Sequence, residues 1–319
     1  MADKTLLVTG AGGFLGQEIT RLAGEYGWRV RAFDRSPERL PDGIEKIKGD
    51  IGDAAALSAA CIEADALIHA AGLAHVFGAA AEDQEHFRVV NEEGTRRVFS
   101  AAAQCGVRRM VHVSSVSVYG EYVGDICSEA NPCRPRGAYA VSKWQAELRA
   151  QEAINPQESS LTILRFATMY GEADRGNVGR LIRVVHRGRF LWPGHGTNRK
   201  SLIFREDAAR ACLLALEYER LGVEIYNVSA LPVSLREIVT AICDALHMPI
   251  PKLGMPQAWL NVALWLAEKL GSQGTLSKTL HKITHDDCYD SSWFNRDYGF
   301  CPRISLAEGM KRAVAQLRD

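Results

Sequence analysis

The sequence predicts an α/β fold, a doubly wound Rossmann-type parallel sheet with a smaller, mostly helical C-terminal substrate domain. Three observations carry this prediction. Short apolar runs alternate with amphipathic helical stretches over the first 170 residues. Most of the runs are apolar on both faces, as strands of a parallel sheet covered on each side must be. A glycine-rich turn joins the first run to the first helix.

Thr5 to Thr9 reads as a buried strand and Phe14 to Tyr26 as a helix. Strands are expected at Trp28 to Phe33, Ile44 to Lys48 and Ala66 to Ala70. Glu85 to Cys105 is a long helix that turns Phe87, Val90, Val98 and Ala102 inward. A strand over Arg109 to Ser114, a helix over Tyr139 to Ala153 and a strand over Leu161 to Ala167 complete the alternation. Right-handed crossovers between these strands give the doubly wound topology. After Tyr170 the pattern loosens, with Gly and Pro punctuating 171–196 and again 249–256. The expected division is a nucleotide-binding domain over 1–170 with returns from about 200–230, and a substrate domain over 171–199 and 231–319. Within the latter, Trp259 to Leu270 is an apolar helix, either buried or cleft-lining, or able to touch a membrane.

Composition narrows the function. The 319 residues carry 38 Lys+Arg against 38 Asp+Glu, with 47% hydrophobic and 24% charged residues, an ordinary globular balance. A net charge of zero removes the long-range field of a nucleic-acid or anionic-membrane binder, and leaves a local basic patch open. No apolar run reaches the length of a membrane span, and the N-terminus lacks a signal peptide's apolar core. The expectation is a cytoplasmic protein with no stable membrane insertion. Eight cysteines without a CxxC spacing, and histidines without ligand spacing, point to reduced thiols and no metal.

The first strand is followed by Gly10-Ala-Gly-Gly13-Phe14-Leu15-Gly16. Gly10 permits the tight turn, Gly13 lets backbone approach a pyrophosphate, and Gly16 allows close helix–strand packing. The following helix offers unpaired amides and a positive dipole to the anion. Asp34 ends the second strand, where a carboxylate accepts from both ribose hydroxyls and selects NAD. Arg35 keeps NADP open, since it could hold a 2′-phosphate if Asp34 swung away. Asp50, with Ile51 beside it, is placed to contact adenine or to form a turn.

Tyr139 and Lys143 lie one helical turn apart and share a face. A nearby ammonium lowers a phenol's pKa and makes Tyr139 a usable acid or base. Ser114 and Ser115 at the end of the fifth strand could share the proton-transfer site.

Taken with His69-Ala70-Ala71, Asn91-x-x-Gly-Thr95, Val118-Tyr-Gly120 and Arg165 to Gly171, these motifs resemble the extended short-chain dehydrogenase/reductase family over roughly the first 230 residues. Within that family the chain is similar to nucleotide-sugar 4-epimerases and 4-ketosugar reductases; Ala74 to Phe77 and Gly176 to Arg180 carry part of that likeness. The resemblance implies that Ser115 and Tyr139 bind the sugar C4 oxygen, that Tyr139 shuttles its proton, and that Lys143 holds the nicotinamide ribose. It places Ala70, Ala71, Asn91, Ser114 and Phe166 along the cofactor. It implies a nucleotide-sugar substrate, UDP-linked, contacted by Thr168, Asn177, Trp192 and Arg199, with Arg199 on the diphosphate. Thr168 stands where many relatives carry Asn, and Phe204-Arg-Glu-Asp207 where they carry His-Val-Asp-Asp. A homodimer through the helices at 85–105 and 139–153 is implied as well. An apolar ketone or sterol-type substrate, and a non-catalytic NAD(P)-binding protein, are the competing readings.

Overall fold

The computed structural model describes residues 4–74, 80–121, 124, 126–218, 220–255, 285–315 and 317. His75, the end of the 74–77 motif and the Trp259 to Leu270 helix lie outside the described residues.

In chain order the first half comprises β1 (Thr5–Thr9), α1 (Gly16–Glu25), β2 (Arg29–Asp34), β3 (Glu45–Lys48), α2 (Ala54–Cys61) and β4 (Ala66–His69). Then come α3 (Ala80–Phe87), a π-helical turn (Arg88–Glu93), α4 (Gly94–Gln104), β5 (Arg109–Ser115), α5 (Ala138–Glu152) and β6 (Ser160–Phe166). The second half holds β7 (Thr168–Tyr170), α6 (Asn177–His186), β8 (Trp192–Pro193), β9 (Arg199–Lys200), β10 (Leu202–Phe204), α7 (Arg205–Leu214) and β11 (Gly222–Val228). It continues with β12 (Val233–Ser234), α8 (Leu235–Leu246), β13 (Gly254–Met255), α9 (Ser292–Tyr298) and α10 (Leu306–Ala315).

Seven strands form one sheet in the order β11-β6-β5-β4-β1-β2-β3, and every pairing within it is parallel. Strand alternation sends neighbouring side chains to opposite layers. Leu6, Val8, Ile68 and Val111 enter the core under α1 and α7, whereas Leu7, Leu67 and Met110 enter the core under α2 and α4. Sequence periodicity was a sound guide because both faces are covered.

Two elements lack that signal. The AAALSAAC run of α2 has no polar face to mark a period, and its start is set by Asp53, whose carboxylate accepts from the amides of Ala55 and Ala56. The seventh strand, β11, is a return to the sheet edge 56 residues after β6, pairing from Gly222↔Ser160 to Val228↔Phe166. Farther on, Phe294, Tyr298 and Phe300 also pack into the core beneath α1. Helices α6, α8 and α10 close a separate core around Tyr170, Ile182, Val239 and Met310.

The order reverses between β1 and β4, so the loops after these two strands diverge and open a crevice at their C-terminal ends. That crevice is where the sequence motifs converge.

Candidate active site

Gly10 leaves β1 at φ +72°, and a Cβ there would stand 2.5 Å from the backbone of Ala71 at the mouth of β4. A Cβ on Gly16 would collide with the Gly10 carbonyl oxygen. The loop is therefore threaded between two strand ends as only glycine permits. Gly13 stands exposed at its crest, Leu15 is buried beneath, and α1 begins without a side-chain cap, leaving its first amides available to an anion. Phe14 lies under the guanidinium of Arg205, 5.6 Å from the ring centroid.

At the end of β2, Asp34 accepts from the amide of Gly12 at 2.9 Å and from that of Ser36 at 2.9 Å. Gly12 belongs to no glycine of the expected pattern, yet a Cβ there would press on the Asp34 carboxylate at 3.0 Å. The two amides hold the carboxylate at the crevice, which removes the outward swing that a 2′-phosphate on Arg35 would require. Arg35 itself reaches toward Asp50, at 4.0 Å. Asp50 also accepts from the Gly52 amide at 2.7 Å, in a turn, and Ile51 packs into the core of α2 and α4. The backbone cradle, the uncapped helix and the anchored carboxylate fit a dinucleotide whose ribose carries free hydroxyls.

The chemistry-bearing side chains come from β5 and α5. Ser115 ends β5, its Oγ accepting from the Ser117 amide at 3.2 Å, and it hydrogen-bonds the half-buried phenol of Tyr139. The Phe87 ring meets Tyr139 edge-on at 5.9 Å. One turn along α5, Lys143 is buried and donates to the Val113 carbonyl at 2.5 Å. Burial lowers its ammonium pKa to about 8, against the opposing pull of Glu147. Burial likewise raises the phenol of Tyr139, and the Ser115 hydrogen bond is what pulls it back. The sequence expectation assigned that lowering to Lys143, but here the ammonium is engaged by a carbonyl instead.

Two devices hold this face in place. Asn91, buried in the π-helical turn, accepts from the Leu73 amide at 2.7 Å and donates to the Leu73 carbonyl at 3.1 Å and to Ser142 Oγ at 2.9 Å. It thus ties the loop following Ala70 and Ala71 to the turn between Tyr139 and Lys143. The regular helix expected over 85–105 widens at this point, a common device beside functional sites. The second is the Glu147 carboxylate, fully buried, which accepts from Arg165 Nη2 at 2.7 Å and Nε at 3.0 Å and from Ser114 Oγ at 2.5 Å. Arg165 also donates to the Tyr119 hydroxyl at 2.9 Å, which donates to Asn227 Oδ1 at 2.8 Å. The i+4 spacing of Tyr139, Lys143 and Glu147 was the available signal for Glu147; its partner 18 residues on was not.

Below the sheet ends, His69 bridges Thr9 and Thr95 at 2.7 and 3.0 Å. It stacks on His112, 5.5 Å away. Burial, reinforced by the Lys143 charge, lowers His69 to about 3 and His112 likewise well below its ordinary value, so both rings are neutral packing groups. Among the described residues no group of His, Cys, Asp and Glu could hold a metal.

The residues expected on the substrate are more scattered. Thr168 opens β7 and Asn177 opens α6 with an exposed side chain. Phe166 is buried in the core with Val113 and Ile203. Trp192 is buried too, its indole donating to the Pro251 carbonyl at 2.6 Å. Arg199 is half-exposed and faces Asp286 at 3.5 Å, while its amide donates to the same carboxylate at 2.7 Å.

A sequence profile of the NAD dependent epimerase/dehydratase family matches residues 6–229. The chain belongs to that family. It is 32% identical over 267 residues to the N-acetyl-alpha-D-glucosaminyl-diphospho-ditrans,octacis-undecaprenol 4-epimerase of Escherichia coli O157:H7, covering 80% of this chain and 76% of that one. It is 30% identical over 329 residues to the 2-alkyl-3-oxoalkanoate reductase of Stenotrophomonas maltophilia, covering 97% and 98%. Among solved structures it is similar to MoeE5 in complex with UDP-glucuronic acid and NAD, at a TM-score of 0.79 and 28% identity over 98% of this chain and 99% of that one. The protein is an enzyme of this family and its cofactor is NAD.

Two outcomes follow from the geometry. Replacing Asp34 with Ala should raise the Kd for NAD at least about tenfold, the scale of one lost charge-assisted pair, and narrow the preference over NADP; an unchanged NAD/NADP ratio in a binding titration contradicts the assignment. Lys143 has a folded pKa below its ordinary 10.5, so the unfolded chain binds the extra proton and stability rises with pH between about 8 and 10.5. Below pH 8 the buried ammonium costs about 3 kcal/mol. Lys143→Met should therefore raise Tm at pH 7, and the advantage should shrink as the pH approaches 10.5 in calorimetry.

Proposed function

We propose that the enzyme moves a hydride between NAD and C4 of a UDP-linked hexose, as a 4-epimerase or 4-ketosugar reductase, with Tyr139 carrying the hydroxyl proton. The observation that carries this reading is the joining of Ser115, Tyr139 and Lys143 at the crevice mouth, beside the Gly10 to Gly16 cradle. NAD, when bound, supplies the two-electron hydride exchange that no side chain can perform. The chain's own part is proton transfer and positioning. Ser115 Oγ and the Tyr139 hydroxyl converge on one oxygen of the substrate. A phenol held above its ordinary pKa is protonated near neutral pH, so Tyr139 enters the reductive direction as an acid, delivering its proton to the C4 oxygen as the carbonyl is reduced. In the oxidative direction the same oxygen takes the proton back, the Ser115 hydrogen bond favouring the phenolate, and Lys143 would hold the nicotinamide ribose. Arg199 would release Asp286 to engage the substrate diphosphate in a bidentate contact, with Thr168, Asn177 and the wall supported by Trp192 around the sugar. The similarity to MoeE5 bound to UDP-sugar and NAD supports the nucleotide-sugar choice. We also read the exposed Val89 and Val141, on the π-helical turn and α5, as part of a dimer surface.

The similarity to 2-alkyl-3-oxoalkanoate reductase, which spans nearly the whole chain, favours a second reading, reduction of an apolar ketone by the same triad.

One set of assays separates them. The purified enzyme is incubated with UDP-N-acetylglucosamine, UDP-glucose, a UDP-4-keto-6-deoxyhexose or a 3-oxoalkanoate, with and without added NADH. Conversion of a UDP-sugar without net cofactor change marks an epimerase, and stoichiometric NADH oxidation a reductase. Tyr139→Phe should lose at least about a hundredfold in kcat, and Arg199→Gln should raise KM for the UDP-sugar about tenfold or more. Inactivity on every UDP-sugar with turnover of the oxoalkanoate, unaffected by Arg199→Gln, establishes the second reading instead.

A further inference from the structure

The neutral total hides a strongly segregated charge. Between Asp174 and Glu206 the chain holds eight Lys or Arg residues and no acid, and between Asp244 and Glu268 it again holds no acid. The structure brings these two segments together at β8 and β13. Trp192 N–H donates to the Leu253 carbonyl at 3.0 Å, and Trp192 pairs with Gly254 in parallel register. Alternation along 189–192 turns Phe190 and Trp192 into the core, and Arg189 and Leu191 outward. Leu191 and Leu253, each preceding one member of the pair, are 44% and 71% exposed, and Ile250, three residues before Leu253, is 42% exposed. The Trp192 indole bonded to Pro251 fixes the loop that carries Ile250 and Lys252, so these apolar side chains project from a rigid base. In the same two segments, within four residues of Leu191 or Leu253, Arg187, Arg189 and Lys252 are exposed, and none has a salt-bridge partner among the described residues.

We infer that this lobe is a docking surface for an anionic lipid bilayer. Projecting aliphatic side chains ringed by uncompensated cations match the acyl–headgroup boundary, where leucines enter the hydrocarbon edge and Arg and Lys meet phosphates. A folded protein partner would be expected to bury a flatter apolar face, and a nucleic acid would find no exposed aromatic ring among these residues on which to stack. The cations act at short range, so a protein without net charge can still dock in one orientation. The inference does not rest on the proposed substrate.

Co-sedimentation of the full chain with phosphatidylcholine vesicles, with and without phosphatidylglycerol, tests it. Binding is expected only to the anionic vesicles at about 0.1 M salt, and should fall as salt is raised. Arg187→Glu/Arg189→Glu/Lys252→Glu should weaken it at least about tenfold, with the neutral Gln triple variant intermediate and thermal melts confirming the fold of each. Leu191→Ser/Leu253→Ser should weaken it several-fold. A wild-type chain that stays in the supernatant, or a charge-reversed variant that sediments like the wild type, overturns the inference. So does a leucine variant that changes the oligomeric state in light scattering and leaves vesicle binding intact, which would make the face a contact between copies.

Discussion

The buried pair of Glu147 and Arg165 is the interaction on which the arrangement of this molecule turns. It joins the middle of α5 to β6, and Ser114 joins the same carboxylate to β5. Through Tyr119 and Asn227 the network continues to β11 at the sheet edge. Two charges withdrawn from water carry a large desolvation cost, which good geometry and extra hydrogen bonds offset without a guaranteed gain in stability. Here the guanidinium also lies over the rings of Tyr119 and Trp144, at 5.0 and 5.6 Å. What the pair secures is register: with Glu147 fixed on the sheet, Lys143 and Tyr139 are fixed one and two turns upstream, at the strand ends that border the crevice.

The opposite wall of the crevice is built from backbone. Gly10 and Gly16 let the loop pass close to Ala71, and Asn91 then ties the loop beyond Ala71 to α5. The glycine loop and the face of α5 that carries Tyr139 and Lys143 are in this way one mechanical unit, and neither wall depends on a large net charge. Free backbone amides and local cations suit anions without altering the total, so a chain with 38 charges of each sign can offer amides in one crevice and present a basic, apolar lobe elsewhere.

Much of this was legible because it is local in sequence. The doubly apolar strands, the glycine turn, Asp34 and the Tyr139/Lys143 spacing are patterns within a few residues. What escaped reading depends on partners far along the chain. Gly12 matters only through Asp34, and Glu147 only through Arg165. Arg199, expected on a diphosphate, has polar sequence neighbours, yet Asp286, 87 residues later, lies against it. The phenol's shift was misjudged for the same reason, since the fold delivers the Val113 carbonyl to the ammonium that spacing alone had aimed at Tyr139. The strand β11 and the helix α2 were missed where periodicity is weak.

The most direct test of this account is a double-mutant cycle on Glu147 and Arg165 that measures both stability and kcat. Glu147→Met and Arg165→Met alone should each cost about 3–5 kcal/mol, because each leaves a buried charge unpaired, while the double variant recovers much of that loss. Its kcat should nonetheless stay well below that of the wild type, because stability has returned without the register of α5. Single variants that cost under about 1 kcal/mol, or a stable double variant with full kcat, would contradict it.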